Sequence, residues 1–145
     1  MRIIFVFILL TAISAAIILD VPVQSTRNHE TIDLNRELIL EYATTTAEQE
    51  TGLGGRSSLA PNAAMLFVFE RPGIQTFWMK GMRFPLDIVW INQGVVVDVA
   101  TLAPPKPNDL FPSWHTSITR ADRVLEMNAG MAKRLGLKRG VKILP

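Results

Sequence analysis

The chain has no cysteine among its 145 residues, which excludes disulfides, thiol catalysis and thiolate-held metals. It is also poor in charge: 19% of the residues are Asp, Glu, Lys or Arg, and the net charge is +2. Nucleic-acid binding needs a concentrated basic face, and none is expected here. The basic residues are scattered, except for Lys133, Arg134, Lys138, Arg139 and Lys142 near the C-terminus, which read as a solvated face. Histidine is scarce too. His29 and His115 stand without a neighbouring carboxylate motif, so no metal is expected. A Ser-centred nucleophile elbow, a phosphate-binding loop and GxGxxG are all missing, and no cofactor is expected. "GLGGR" at Gly52 to Arg56 stops a helix and does not cradle phosphate, because no strand leads directly into it and no helix follows.

Apolar material, by contrast, is plentiful. Nearly half the residues are hydrophobic (48%) in a chain of one-domain size, enough for a real core. The run Ile3 to Leu19, "IIFVFILLTAISAAIIL", carries no charge and lies between Arg2 and Asp20. It is at the short end of membrane-spanning length and longer than an ordinary signal-peptide core. With Arg2 held inside, residues 3–19 are expected to anchor the chain in the cell membrane as one hydrophobic helix, with the remainder outside the cytoplasm. Cleavage near Ser14 to Ala16 or Val23 to Ser25, giving a secreted or periplasmic chain, is the alternative. The expected organisation is an anchor or signal segment at 1–20, a polar linker at 21–36, and a β-rich domain at 37–145.

Within that domain, short apolar runs alternate with turn signals. "LILEYA" (38–43), "AMLFVFE" (64–70), "IQTFWM" (74–79), 86–91, 95–100, 123–127 and "VKIL" (141–144) read as strands. "TTTAEQETGLGG" carries a capping box, Thr45 with Glu48 or Thr46 with Gln49, opening a two-turn helix that Gly54 and Gly55 stop. "NAGMAKRLG" reads as a second short helix, capped by Asn128 and ended by Gly136. "NQG" turns a tight hairpin at Gly94. Residues 103–115, with four of the nine prolines, read as a long loop. The expected fold is mostly β, a small antiparallel sandwich or barrel with two short helices.

If Ile91 pairs with Val95, then Asp87, Val89 and Ile91 share a face with Val95, Val97 and Val99, and Leu86, Ile88, Trp90, Val96 and Asp98 form the other. Both faces are apolar, which leaves Asp87 a carboxylate among valines. A buried charge needs a partner, and Lys80, Arg83 and Arg56 are the candidates. Glu126, in "VLEMN", poses the same problem. Three readings follow: a structural ion-pair network; one pocket lined by Arg56, Lys80, Asp87 and Glu126 that takes a small polar ligand or glycan; or a hydrolase in which Asp87 and Glu126 divide acid and base roles. Trp78, Trp90 and Trp114 offer flat faces for stacking. Packing is the commoner role in so small a domain, and Trp114, in the proline-rich loop, is the best placed to bind.

The blocks "TTTAEQETGLGGRSSL", "AMLFVF", "FWMKGMRFPLDIVWI" and "VLEMNAGMAKRLGLKRG" resemble the family known as domain of unknown function 192, an ancient conserved region of bacteria and archaea, across roughly residues 38–144. The match falls on Gly52, Leu53, Arg56, Met65, Phe67, Phe69, Trp78, Met79, Lys80, Pro85, Leu86, Asp87, Glu126 and Gly130. Gly54 and Gly55 replace the family's Met-Phe, Ala64 replaces Gly, and Gly81 with Met82 replaces a polar Asn-Thr pair beside Lys80. The resemblance implies a β-sandwich-like domain, often exported or anchored, and implies no activity. A membrane-anchored binding or accessory domain is the leading expectation, with Arg56, Lys80, Asp87, Glu126, Trp78 and Trp114 as binding residues and no catalytic ones. The hydrolase and a purely structural envelope protein are the rivals.

Overall fold

A computed structural model describes residues 31–144; the expected anchor at 3–19 and most of the expected linker lie outside them. Among the described residues no helix is long and apolar enough to cross a membrane. The elements run β1 (Thr31–Asp33), α1 (Leu34–Glu37), β2 (Ile39–Ala43), α2 (Thr46–Thr51), β3 (Ala63–Gly73), β4 (Thr76–Trp78), β5 (Leu86–Asn92), β6 (Val95–Leu102), β7 (Trp114–Thr116), β8 (Ala121–Asn128), α3 (Met131–Arg134) and β9 (Lys142–Leu144).

The mostly β character is as expected, and of the antiparallel sandwich or barrel expected the sheet takes the second in part. Seven strands form one sheet in the order β1-β9-β6-β5-β8-β3-β2, curled into a half-barrel. The sheet is mixed, because β1 runs parallel to β9 and β2 parallel to β3 at its two edges. Strands β4 and β7 form a separate antiparallel ribbon. Strands apolar on both faces fit a sandwich equally well, but here helices and loops cover the sheet. On one face Leu34 of α1 and Met131 and Ala132 of α3 pack over Leu66, Val89, Leu125 and Met127. On the other, Leu53, Met79 and Met82 from loops cover Met65, Phe67, Ile88 and Trp90. A third helix, α1, thus joins the two expected, and residues 31–36, read from sequence as linker, supply β1 and most of α1.

Local chemistry explains most element ends. The Thr45–Glu48 capping box forms, with Thr45 Oγ1 accepting from the Glu48 N–H and the Glu48 carboxylate accepting from the Thr45 N–H. The helix stops one turn-step earlier than expected, at Gly52 and not at Gly54 and Gly55. Gln93 (φ 50°) and Gly94 (φ 72°) make the two-residue hairpin turn, whose residues in the left-handed region let it follow the right-handed twist of the strands. This turn pairs Asn92 with Val95 and so Ile91 with Val96, not with Val95, and a bulge at Val97 then sets Trp90 opposite Asp98. Val96 therefore moves to the face of Val89 and Ile91, and Val97 to that of Trp90. Helix α3 begins after Gly130, not Asn128, whose side-chain amide donates to the Leu59 and Ala60 carbonyls. It ends as expected around Gly136, with the Leu137 N–H donating back to the Ala132 carbonyl at 2.8 Å.

Candidate binding cleft

Strands β5 and β8 lie side by side at the middle of the sheet, and their register separates the two buried carboxylates. Glu126 pairs with Ile88, and Asp87 with Met127. Side chains alternate across a strand, so Glu126 enters the Phe67–Trp90 layer and Asp87 enters the Val89–Met127 layer beneath α3. The two acids are on opposite faces of the sheet, and no substrate can lie between them.

Asp87 is fully satisfied. Its carboxylate accepts the Thr101 hydroxyl at 2.6 Å and the Ala132 N–H at 2.8 Å. That N–H is one of the free donors at the start of α3, which has no side-chain cap of its own. None of the partners expected from sequence reaches it. Arg56 instead forms a two-pronged bond with Glu41 of β2, both contacts 2.8 Å, which raises its own pKa and lowers that of Glu41. Four residues expected in one pocket thus occupy three places. Only Lys80 and Glu126 share one.

Glu126 is the opposite of Asp87. It is 6% exposed, and among the described residues its carboxyl has no hydrogen-bond or ion-pair partner. Burial pushes its pKa up to about 8, since nothing nearby repays the lost hydration of the charged form. The group borders a cavity of about 50 Å³ between the α2–Gly54 turn and the segment Trp78 to Met82. Gly52 (φ 49°) roofs it: a Cβ there would sit 3.2 Å from Cζ of Phe67 and 3.8 Å from Oε2 of Glu126. A side chain at this position would strain the backbone and fill the closed end. The roof rests on its neighbour by a main-chain bond, Gly55 N–H to Gly81 carbonyl at 3.1 Å. Two of this chain's departures from the resembling family, Gly55 and Gly81, therefore meet there. Met82, where that family has a hydroxyl, lines the cavity.

Next to the cavity, and sharing Gln49, Glu50, Phe67, Phe77 and Trp78 with its wall, lies a groove of about 190 Å³ between α2 and β4. Phe77 turns inward, edge-on to Phe67 (4.9 Å) and Trp90 (6.1 Å). Trp78 and Trp114 are register partners on the ribbon and are 58% and 64% exposed. The packing role expected of the tryptophans holds only for Trp90, which is fully buried. The Lys80 ammonium lies 5.1 Å from the centre of the Trp78 ring within cation–π range. Trp114, expected in a loop, opens β7. His115 beside it faces inward, its Nε2 2.9 Å from Oδ2 of Asp98 and its ring 4.9 Å from Trp90. Sequence reading missed Gln49, Gly52, Phe77 and Met82 as cleft residues. The signal lay in "TGLGG", where a glycine directly after so short a helix marks a close approach as well as a stop.

The DUF192 family (Uncharacterized ACR) matches residues 27–144. Two crystal structures have the same fold. One is a protein of unknown function from Novosphingobium aromaticivorans DSM 12444, 35% identical, with a TM-score of 0.63, covering 72% of this chain and 73% of its own. The other, from Sinorhizobium meliloti 1021 and provisionally described as a transcription regulator, is 33% identical with a TM-score of 0.64, covering 72% and 79%. No curated protein matches. With a match over all the described residues and relatives of this identity, the chain belongs to the DUF192 family.

Proposed function

We propose that the protein is a binding module that takes a small polar ligand in the cleft between α2 and β4, with Glu126 at the closed end and Lys80 and Trp78 toward the mouth. One observation carries this: a carboxyl buried to 6% exposure, without a partner, on the wall of a cavity. Burying such a group unpaired costs several kcal/mol, and a ligand that hydrogen-bonds it restores what burial removes. Arg56 and Asp87 leave the binding set, because each is satisfied elsewhere. The hydrolase reading loses its support, because its two acids sit on opposite faces of the sheet.

A fragment screen by NMR on the isotope-labelled chain tests the proposal. Binding should shift the resonances of Gly52, Phe77 and Trp78 and leave Gly94 and Gly140 unmoved, and Glu126→Leu, which removes both donor and acceptor, should weaken it. Fragments that shift only residues outside the cleft would reject it. The apolar run at residues 3–19 supports holding this module at the outer face of the cytoplasmic membrane. Mass spectrometry of the purified chain checks that part: a mature N-terminus near Thr26 rules out a retained anchor.

A further inference from the structure

Resting on the cleft reading above, we propose that the ligand is a saccharide, with a sugar ring against Trp78 and one ring substituent directed into the closed end at Glu126. Charge balance argues for a neutral ligand. At neutral pH Glu126 holds its proton, and the other charged residues that line the cavity, the exposed Glu50 and Lys80, offset one another. A phosphate or polyanion would need more cations than one lysine, and a cationic ligand would face Lys80.

The polar groups suit hydroxyls. A protonated carboxyl both donates and accepts, as a sugar hydroxyl does, so the pair forms without desolvating an ion. The shape is two-tiered: a cavity of about 50 Å³, room for one or two waters or a single small substituent, adjoins a groove of about 190 Å³, with Trp78 in the wall of both. Beyond the mouth the ribbon presents an uncharged face, with Thr76 and Thr116 hydroxyls 2.9 Å apart beside the exposed pair Trp78 and Trp114. Flat aromatic surface flanked by hydroxyl-sized polar groups matches the apolar face and polar edge of a sugar ring.

Titration of the full-length chain in a sugar-free detergent decides the matter. The probes are methyl β-glucoside, cellobiose and diacetylchitobiose, compared with putrescine and succinate as charged compounds of small size. At least one saccharide should bind and shift Trp78, with affinity falling about tenfold in Trp78→Ala, a surface change that leaves the core intact, and also falling in Glu126→Leu. Glu126→Gln keeps a donor and an acceptor and should keep saccharide binding. If only putrescine or succinate binds, and Glu126→Leu weakens it, the saccharide is wrong and the cleft reading stands. If no probe binds, or saccharide binding ignores both Trp78→Ala and Glu126→Leu, the saccharide assignment falls; with an empty fragment screen, the cleft reading falls too.

Discussion

Burial pushes the Glu126 carboxyl up to about 8, so the folded chain holds a proton there that the unfolded chain gives up near 4.5. The folded value is the higher one, so this group's stability is fully present below about pH 4.5 and is lost as the pH rises toward 8. The loss reaches up to about 1.4 kcal/mol per pH unit within that window. Urea midpoints measured between about pH 4 and 9 should show this fall, and Glu126→Gln should flatten it and be the more stable protein at the alkaline end. Asp87 matters through its hydrogen bonds. Asp87→Ala leaves the Thr101 hydroxyl and the Ala132 N–H unpaired in the core and should lower stability by about 2–4 kcal/mol in urea unfolding. That both acids needed explaining was legible in the sequence, because each stands in an apolar strand. Their fates were not. One of the two donors that satisfy Asp87 is a main-chain N–H 45 residues away, and a backbone group leaves no letter to read.

Among the elements, α2 and the loop after it form the movable-looking wall of the cleft, yet three contacts fix them. Gln49 donates its side-chain amide to the Val68 carbonyl at 2.8 Å, Gly55 bonds to Gly81, and Arg56 grips Glu41. The last is partly exposed on both sides, so solvent screens it. Arg56→Ala should cost under about 1 kcal/mol and less still in high salt, as thermal unfolding at two ionic strengths will show. The capping box of α2 and the β5–β6 turn were readable because each is specified within four residues. The β6 bulge was not: "VVVDV" offers apolar side chains in either register, so one inserted residue changes the faces without a change of pattern. Strand β7 was hidden by its length of three residues and by the prolines before it.

For the whole molecule, the expected domain start at residue 37 cuts through what the structure holds together. Leu34 is fully buried in the layer under α3, and β1 extends the sheet beyond β9. A chain begun at residue 37 should be less stable than one begun at residue 30 by about 2–3 kcal/mol for Leu34 alone, read as a shift in urea midpoint. The short polar-looking stretch "TIDLNR" carried too few apolar residues to announce this. Seven of the nine strands were legible, and their closure into one curled sheet was not, because doubly apolar strands do not say whether a sheet or helices will cover them. That curled sheet also divides labour. Its α3 side carries the satisfied acid and the tightly packed layer, while its α2 side carries the unsatisfied acid and the opening. Because the two acids sit on neighbouring strands with their backs to one another, selection can rewrite specificity on one side without touching the foundations on the other. A protein engineer could do the same, treating the α3 side as a chassis and the walls of the cleft as a replaceable part.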